Sequence, residues 1–184
     1  LSGKDHYIAQ KKRGGKNKLL DLVRELGLSP IKSEDRFVPQ HYKTADRISR
    51  LELLAGLLDT DGHLSSGNYY EFISKSRQLA EDVAFLARSL GLAAYYKEKT
   101  QKEGIYHRVT ISGNCEIIPC KIPRKQASTR HQKKDVTRTG FKVKETGTVE
   151  NYYGFVLDGD GRYLLGDFTV THNTGKTVVA GEFI

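Results

Sequence analysis

Residues 53–62 read LLAGLLDTDG, an apolar run that ends in two acidic residues and a glycine. Apolar residues recur here at intervals of three and four, at Leu51, Leu54, Ala55 and Leu58. This spacing predicts an amphipathic helix that ends near Gly62. Glycine inside a helix costs about 1 kcal/mol relative to alanine, so Gly56 indicates that another backbone approaches this helix closely.

The segments after this helix alternate in a regular order. Residues 69–74 are strand-like, and residues 76–90 predict a helix with Ser76 as its N-cap. Residues 92–97 and 106–112 predict two paired strands. From the first helix onward the order is helix, strand, strand, helix, strand, strand, which describes a compact α+β unit.

Residues 53–62 resemble the signature of the LAGLIDADG homing endonucleases, whose structural repeat (αββαββ) has this same order. The resemblance implies a site-specific, Mg²⁺-dependent endonuclease, a hydrolase whose partner is double-stranded DNA. Asp61 would be the catalytic carboxylate and the metal ligand, whereas Asp59 would be structural. The family places a lysine late in the unit, and Lys121 and Lys125 both fit. For either lysine, a solvated surface position is the alternative.

Only one such motif is visible, although the family in inteins carries two per chain, each with one acidic residue. Residues 1–50 resemble the segment between the two motifs, so the first motif is expected upstream. The resemblance therefore implies that DNA cleavage needs a second motif in addition to this fragment.

The other informative stretch is DFTVTHNTGKT at residues 167–177, where an apolar strand runs into His172 and Asn173 and then into half of a phosphate-binding loop. A complete loop, G-x-x-x-x-G-K-[ST], needs a glycine five residues before Gly175, where the chain has Val170. This argues against a P-loop NTPase that begins inside the chain. It indicates that two unrelated sequences join after Asn173.

The residues at this join suit an autocatalytic reaction. The side-chain amide of Asn173 can attack its own backbone carbonyl, close a succinimide and release the amine of the next residue. That step needs proton transfer, for which the neighbouring His172 is suited because imidazole titrates near neutrality. Thr174 offers the hydroxyl that would accept an upstream segment by transesterification.

Residues 152–173 resemble the last splicing block of inteins in the yeast vacuolar-ATPase and splicing-factor group. The resemblance implies the C-terminal all-β segment of a Hint splicing domain, which needs no cofactor but requires its N-terminal half, in cis or as a split partner. Residues 174–184 resemble the end of a Walker A loop in helicases and related NTPases. Lys176 and Thr177 would then bind nucleotide phosphate and Mg²⁺ in the spliced host protein, the extein.

The charge of the chain agrees with a polyanionic partner. Its 184 residues carry 30 Lys and Arg against 22 Asp and Glu, a formal net charge of +8. Residues 119–144 are the most basic and predict a linker or a DNA-facing segment. Short β segments are expected over residues 149–170, with a hairpin-turn signal at Asp158 and Gly159.

Cys115 and Cys120 form an isolated C-x4-C pair without zinc-ligand spacing, so we interpret both as structural. No apolar run approaches the roughly 20 residues that span a bilayer, and no signal peptide is recognisable. A soluble intracellular protein without a membrane partner is therefore expected. Because the chain begins with Leu1 and ends in an apolar segment, it is expected to be cut at both ends.

These observations predict three regions. Residues 1–135 would be the second half of a LAGLIDADG endonuclease domain, residues 136–173 the C-terminal splicing segment, and residues 174–184 a fragment of the host. The predicted functions are intein splicing and DNA cleavage. The alternative is a stand-alone LAGLIDADG endonuclease or DNA-binding protein that acts as a dimer.

Overall fold

The computed structural model describes residues 17–101, 104–132, 135–138 and 155–172, with the short stretches 140, 142, 144–145, 147–149 and 151. The helices are α1 (Lys18–Glu25), α2 (Gln40–Lys43), α3 (Arg47–Asp61) and α4 (Arg77–Ser89). The strands are β1 (Gly62–Leu64), β2 (Tyr70–Ser74), β3 (Ala93–Gln101), β4 (Gly104–Ser112), β5 (Arg162–Leu164) and β6 (Val170–His172). Within these ranges, no helix combines the length and apolar character needed to cross a bilayer.

Helix α3 begins and ends at residues whose chemistry fixes both boundaries. The Asp46 carboxylate accepts hydrogen bonds from the backbone amides of Ile48 at 2.9 Å and Ser49 at 3.0 Å, which satisfies two amides at the helix start. At the other end, a Cβ on Gly62 would lie 2.7 Å from both the Cα and the carbonyl oxygen of Leu58. Only glycine therefore fits the corner between α3 and β1.

Four strands form one antiparallel sheet in the order β1-β2-β4-β3. Side chains alternate between its two faces, and the inner face is buried at Tyr70, Phe72, Val109 and Ile111. These residues belong to one hydrophobic core with the buried faces of α3 and α4, which include Leu54, Leu58, Val83 and Leu86. The sheet thus has one face in the core and one face directed outward.

The order helix, strand, strand, helix, strand, strand is confirmed over residues 47–112 as a mixed α/β unit with an antiparallel sheet. Ser76 is the N-cap of α4, as predicted, and its hydroxyl oxygen accepts from the Leu79 amide at 3.0 Å. Strand β1 belongs to the predicted order, but no residues could be assigned to it from the sequence, because three residues carry too little alternation.

Residues 115–130, which we call the strap, follow β4 and return across the end of α3 toward the β1–β2 turn. The Tyr70 hydroxyl donates to the Lys125 carbonyl at 2.6 Å, and the Ser128 amide donates to the Asn68 side chain at 3.0 Å. Arg130 also donates to the Gly67 carbonyl. The prediction of a linker is therefore wrong for residues 119–130, because main-chain and side-chain hydrogen bonds fix this segment to the domain.

Strands β5 and β6 form a separate two-stranded antiparallel sheet in which Arg162 pairs with His172. In its turn, residues 165–169, Phe168 has a positive φ of 67°. The Phe168 ring packs edge-on against Phe85 of α4, with the ring centroids 4.8 Å apart. Short β segments were expected in this region. The predicted turn at Asp158 and Gly159 precedes β5 and does not connect two described strands.

Replacing Leu58 by alanine should lower the free energy of unfolding by about 2–5 kcal/mol, because this fully buried side chain would leave a cavity. Ile48→Ala on the same helix is the matched control. Its side chain is 73% exposed, so a change within about 0.5 kcal/mol is expected. Urea unfolding followed by circular dichroism measures both values; equal values would contradict the described packing of α3.

Candidate functional site

The two aspartates at the end of α3 have different surroundings. Asp59 is half-buried, and its carboxylate accepts from the Lys121 amide at 2.7 Å and the Ile122 amide at 3.2 Å. Asp61 is exposed, and its carboxylate accepts no hydrogen bond within the described part of the chain. The contacts of Asp59 are those of a structural residue, whereas the Asp61 carboxylate is available to a ligand.

The ammonium group of Lys125 closes the end of α3. Its Nζ donates to the carbonyls of Leu58 at 2.9 Å, Asp59 at 2.7 Å and Thr60 at 3.2 Å. The residue is only 3% exposed, so the alternative of a solvated surface lysine is wrong for it. Burial, followed by the nearby charge of Arg124, lowers the pKa of Lys125, while the two aspartates oppose this effect.

Lys121 occupies the opposite kind of environment. Its side chain is 73% exposed and lies 3.4 Å from the Glu52 carboxylate, a type of surface ion pair that contributes little to stability. Of the two candidate lysines, Lys121 is therefore accessible to a ligand, whereas the Lys125 ammonium is enclosed.

One exposed carboxylate, that of Asp61, is the group that the end of α3 offers to a metal ion. Among the described residues, no group of three or more His, Cys, Asp or Glu side chains converges to hold an ion. Mg²⁺ in proteins commonly keeps several waters and binds one or two carboxylates together with substrate phosphate oxygens. The exposed Asp61 carboxylate is compatible with this mode of binding, which needs further ligands from outside the described residues.

The outer surface of α3 contains a stripe of exposed residues four positions apart, at Ile48, Glu52, Gly56 and Thr60. A Cβ built on Gly56 meets no described atom within 4 Å. The close approach predicted from this glycine is therefore not made by the described residues. Among the described residues, none packs on α3 at Gly56.

The outward face of the sheet is basic, and this surface was not predicted from the sequence. Tyr95, Lys97 and Lys99 alternate with inward-facing residues along β3, and Lys97 pairs in register with Arg108 of β4. Glu71, 3.4 Å from Arg108, offsets part of this charge. Strand alternation in residues 95–99 was the signal that could have located this surface.

The predicted splice junction lies mostly outside the described residues. His172 is the last residue of β6 and is exposed. Asn173, Thr174, Lys176 and Thr177 fall outside the described ranges. The structure therefore brings His172 to the end of a β-hairpin, next in sequence to Asn173.

Both thiols are buried and unpaired with each other. Burial raises the pKa of Cys115 to about 11 and also raises the pKa of Cys120. The Cys115 thiol donates weakly to the Ile111 carbonyl at 3.7 Å. Protonated, buried thiols of this kind pack as small apolar side chains, in agreement with the predicted structural role.

Known proteins share parts of this sequence. Residues 49–117, less than half of the chain, match the family of LAGLIDADG-like domains. The catalytic subunit of a V-type proton ATPase from Candida tropicalis is 28% identical over 93% of this chain and 17% of its own length. A replicative DNA helicase DnaB from Mycobacterium intracellulare is 44% identical over 31% of this chain and 10% of its own length. The chain thus spans less than a fifth of either relative.

Substitution of the two aspartates should separate their roles. Asp59→Ala removes the acceptor of two strap amides and should lower the free energy of unfolding by about 1–3 kcal/mol. Asp61→Ala removes an anion from a helix C-terminus and should leave stability unchanged or raise it by about 0.3–1 kcal/mol. Thermal or urea unfolding of both variants measures this; an equal loss in the two would refute the assignment of Asp59 as the anchor.

Proposed function

We propose that this chain is the C-terminal part of an intein that contains half of a LAGLIDADG homing endonuclease. Residues 1–135 would be the endonuclease half, residues 136–173 the end of the Hint splicing domain, and residues 174–184 the resumed host. The observation that carries the endonuclease proposal is the αββαββ unit of residues 47–112, in which α3 ends at an exposed Asp61 while its neighbouring Asp59 is engaged. It coincides with the match to the LAGLIDADG-like family.

The relatives support the intein proposal in two ways. The similarity to the V-type proton ATPase protein covers 93% of the chain, so it extends beyond the LAGLIDADG-like residues 49–117. The terminal block, residues 152–173, independently resembles inteins of the vacuolar-ATPase group. The second relative is a DNA helicase, the class of NTPase that residues 174–184 resemble. After splicing, Lys176 and Thr177 would complete the nucleotide site of such a host.

In the splicing reaction, Thr174 would accept the upstream host segment on its hydroxyl. Cyclisation of Asn173 would then break the peptide bond between Asn173 and Thr174. His172 lies at the exposed end of β6, next in sequence to Asn173, and its imidazole would donate a proton to the leaving amine. Transfer of the upstream segment from oxygen to the freed nitrogen restores an ordinary peptide bond. The upstream nucleophile would come from the N-terminal intein half.

In the endonuclease, Asp61 would hold Mg²⁺ at the scissile phosphate. The ion, when bound, would offset charge on the phosphate oxygens and lower the pKa of a bound water. Lys121 is the exposed cation that would face the phosphate. The second acidic residue would come from a helix that packs on the open Gly56 face of α3, because a glycine there allows two backbones to approach closely.

The outward face of the sheet is the surface that would bind duplex DNA. Lys97, Lys99 and Arg108 lie on this face, and the Lys75 ammonium sits 5.8 Å from the centre of the Tyr106 ring beside them. Lysine and arginine on one face supply the phosphate contacts that dominate nucleic-acid affinity. Lys121 and Arg124 add exposed positive charge on the strap, which contacts the end of α3 through Asp59.

The second candidate is a stand-alone endonuclease or DNA-binding protein that acts as a homodimer. The open Gly56 face favours it, because a second copy could pack there and bring a second Asp61. It leaves the run of His172, Asn173 and Thr174 without a role. Size measurements in solution separate the two: a stable dimer of the chain supports the second candidate, and a monomer that associates with an N-terminal half supports the first.

Mass spectrometry of the chain fused to a C-terminal reporter tests the splicing proposal. Release of the reporter after Asn173, abolished by Asn173→Ala, is expected because only the asparagine amide can form the succinimide. Addition of a candidate N-terminal half should produce ligated host segments. An uncut chain with and without that half would contradict splicing, while leaving the endonuclease proposal to DNA measurements.

The DNA surface is tested by the double substitution of Lys97 and Lys99 to alanine. Each phosphate contact contributes about 0.9 to the slope of log affinity against log salt, so the slope should fall by about 1.8. Fluorescence anisotropy with a labelled duplex over a salt series measures it. Lys18→Ala on α1 is the control and should leave the slope unchanged; an unchanged slope in the double variant would exclude this face.

A further inference from the structure

The strap and the end of α3 hold each other by contacts in both directions, which we call the clasp. From the helix side, the Asp59 carboxylate accepts the backbone amides of Lys121 and Ile122 at 2.7 and 3.2 Å. From the strap side, Lys125 Nζ donates to three carbonyls of the last turn of α3. The Tyr70 hydroxyl fixes the Lys125 main chain at 2.6 Å.

The Lys125 ammonium has no donor left for a substrate. A lysine ammonium carries three N–H groups and no acceptor, and three helix carbonyls occupy its donor range at 2.7–3.2 Å. The side chain is also enclosed, at 3% exposure. To reach a phosphate in solvent, the ammonium would have to give up its hydrogen bonds to all three carbonyls. Hydrogen bonds to a charged group are among the stronger ones in proteins, so this movement is unfavourable.

The Lys125 ammonium lies at the C-terminal end of α3, where a positive charge is favourable. The C-terminus of a helix carries roughly half a negative elementary charge, and here two aspartates add to it within the last three residues of α3. One buried ammonium meets that accumulated negative potential directly. It therefore allows Asp61 to remain exposed at a position that would otherwise repel its carboxylate.

The clasp also restricts where Asp61 can be. The carbonyl of the preceding residue, Thr60, is held by Lys125 at 3.2 Å. The following residue, Gly62, donates its amide to the Leu58 carbonyl and leaves no space for a side chain. Hydrogen bonds to main-chain groups thus fix the backbone on both sides of Asp61, with the Lys125 ammonium on one side and with the Leu58 carbonyl on the other.

We propose that Lys125 is a positioning residue that holds the last turn of α3, and with it the Asp61 carboxylate, in place, while Lys121 supplies the phosphate contact. This assignment rests on the proposed endonuclease function of the same site. It divides the two candidate lysines between two tasks: one is buried against the helix end, and the other is exposed beside it.

Three single variants test the assignment in the full chain. Lys125→Met removes the ammonium group that binds the end of α3, and Lys121→Met removes the exposed cation. Tyr70→Phe removes the hydrogen bond from the Tyr70 hydroxyl to the Lys125 carbonyl without any change of charge. The measurements are amide hydrogen exchange of Gly62, binding of Mn²⁺ alone through broadening of the NMR signals of residues 60–62, and the salt slope of duplex DNA binding. Unfolding temperature is recorded for each variant.

For Lys125→Met we expect lost protection of the Gly62 amide, Mn²⁺ affinity about tenfold weaker, as for groups that orient a metal ligand, and an unchanged DNA salt slope. The sign of the Mn²⁺ change is informative. Removal of a nearby cation by charge alone would strengthen Mn²⁺ binding, so weaker binding in a variant that remains folded reports displacement of Asp61. For Lys121→Met we expect normal Gly62 protection and a salt slope reduced by about 0.9.

A reduced DNA salt slope for Lys125→Met, or Mn²⁺ binding that is unchanged or stronger, would overturn the proposal. If this variant does not fold, Tyr70→Phe decides: partial loss of Gly62 protection with weaker Mn²⁺ binding supports the clasp, and wild-type behaviour in both refutes it. Wild-type chain that binds neither DNA nor Mn²⁺ would refute the endonuclease function and, with it, the metal-positioning role. Gly62 exchange would then still report whether the clasp exists.

Discussion

The hydrogen bonds from the buried Lys125 ammonium to the last turn of α3 are the interaction around which the domain is organised. Through them, residues 115–130 are tied to the motif helix, and the hydroxyl of Tyr70 ties the same segment to the core of the sheet. The helix end is a region of strong negative potential. The buried Lys125 ammonium offsets this potential at the corner where α3 turns into β1.

Local signals account for the part of the fold that could be predicted. Leu54 and Leu58 gave the period of α3, Ser76 marked the start of α4, and alternation marked β4. The state of Lys125 could not be predicted, because its partners are main-chain carbonyls 65–67 positions away, and no side-chain pattern marks a carbonyl. The roles of Asp59 and Asp61 could be distinguished only by resemblance, because the amides that bind Asp59 belong to a segment about 60 residues away in sequence.

The two proposed chemistries use different parts of the chain. Asp61 lies on a rigid corner whose neighbours are fixed on both sides, as suits a carboxylate that must meet a phosphate at a defined place. His172 lies at the end of a short hairpin of two three-residue strands. The hairpin meets the domain through Phe168 and Phe85, on the side of α4 where Lys43, Glu81, Arg88 and Tyr96 line a cleft of about 360 Å³.

The absence of space at Gly62 has a consequence for how such a sequence changes over time. Folding alone would retain Gly62, Asp59 and Lys125, because each meets a steric or hydrogen-bonding demand of the corner itself. None of the described contacts requires Asp61, so a lineage released from selection for the proposed DNA cleavage would drift at that position while it kept the glycine beside it. In related sequences, the residue immediately before this glycine would therefore distinguish copies still maintained for DNA cleavage from copies maintained only as folded domains.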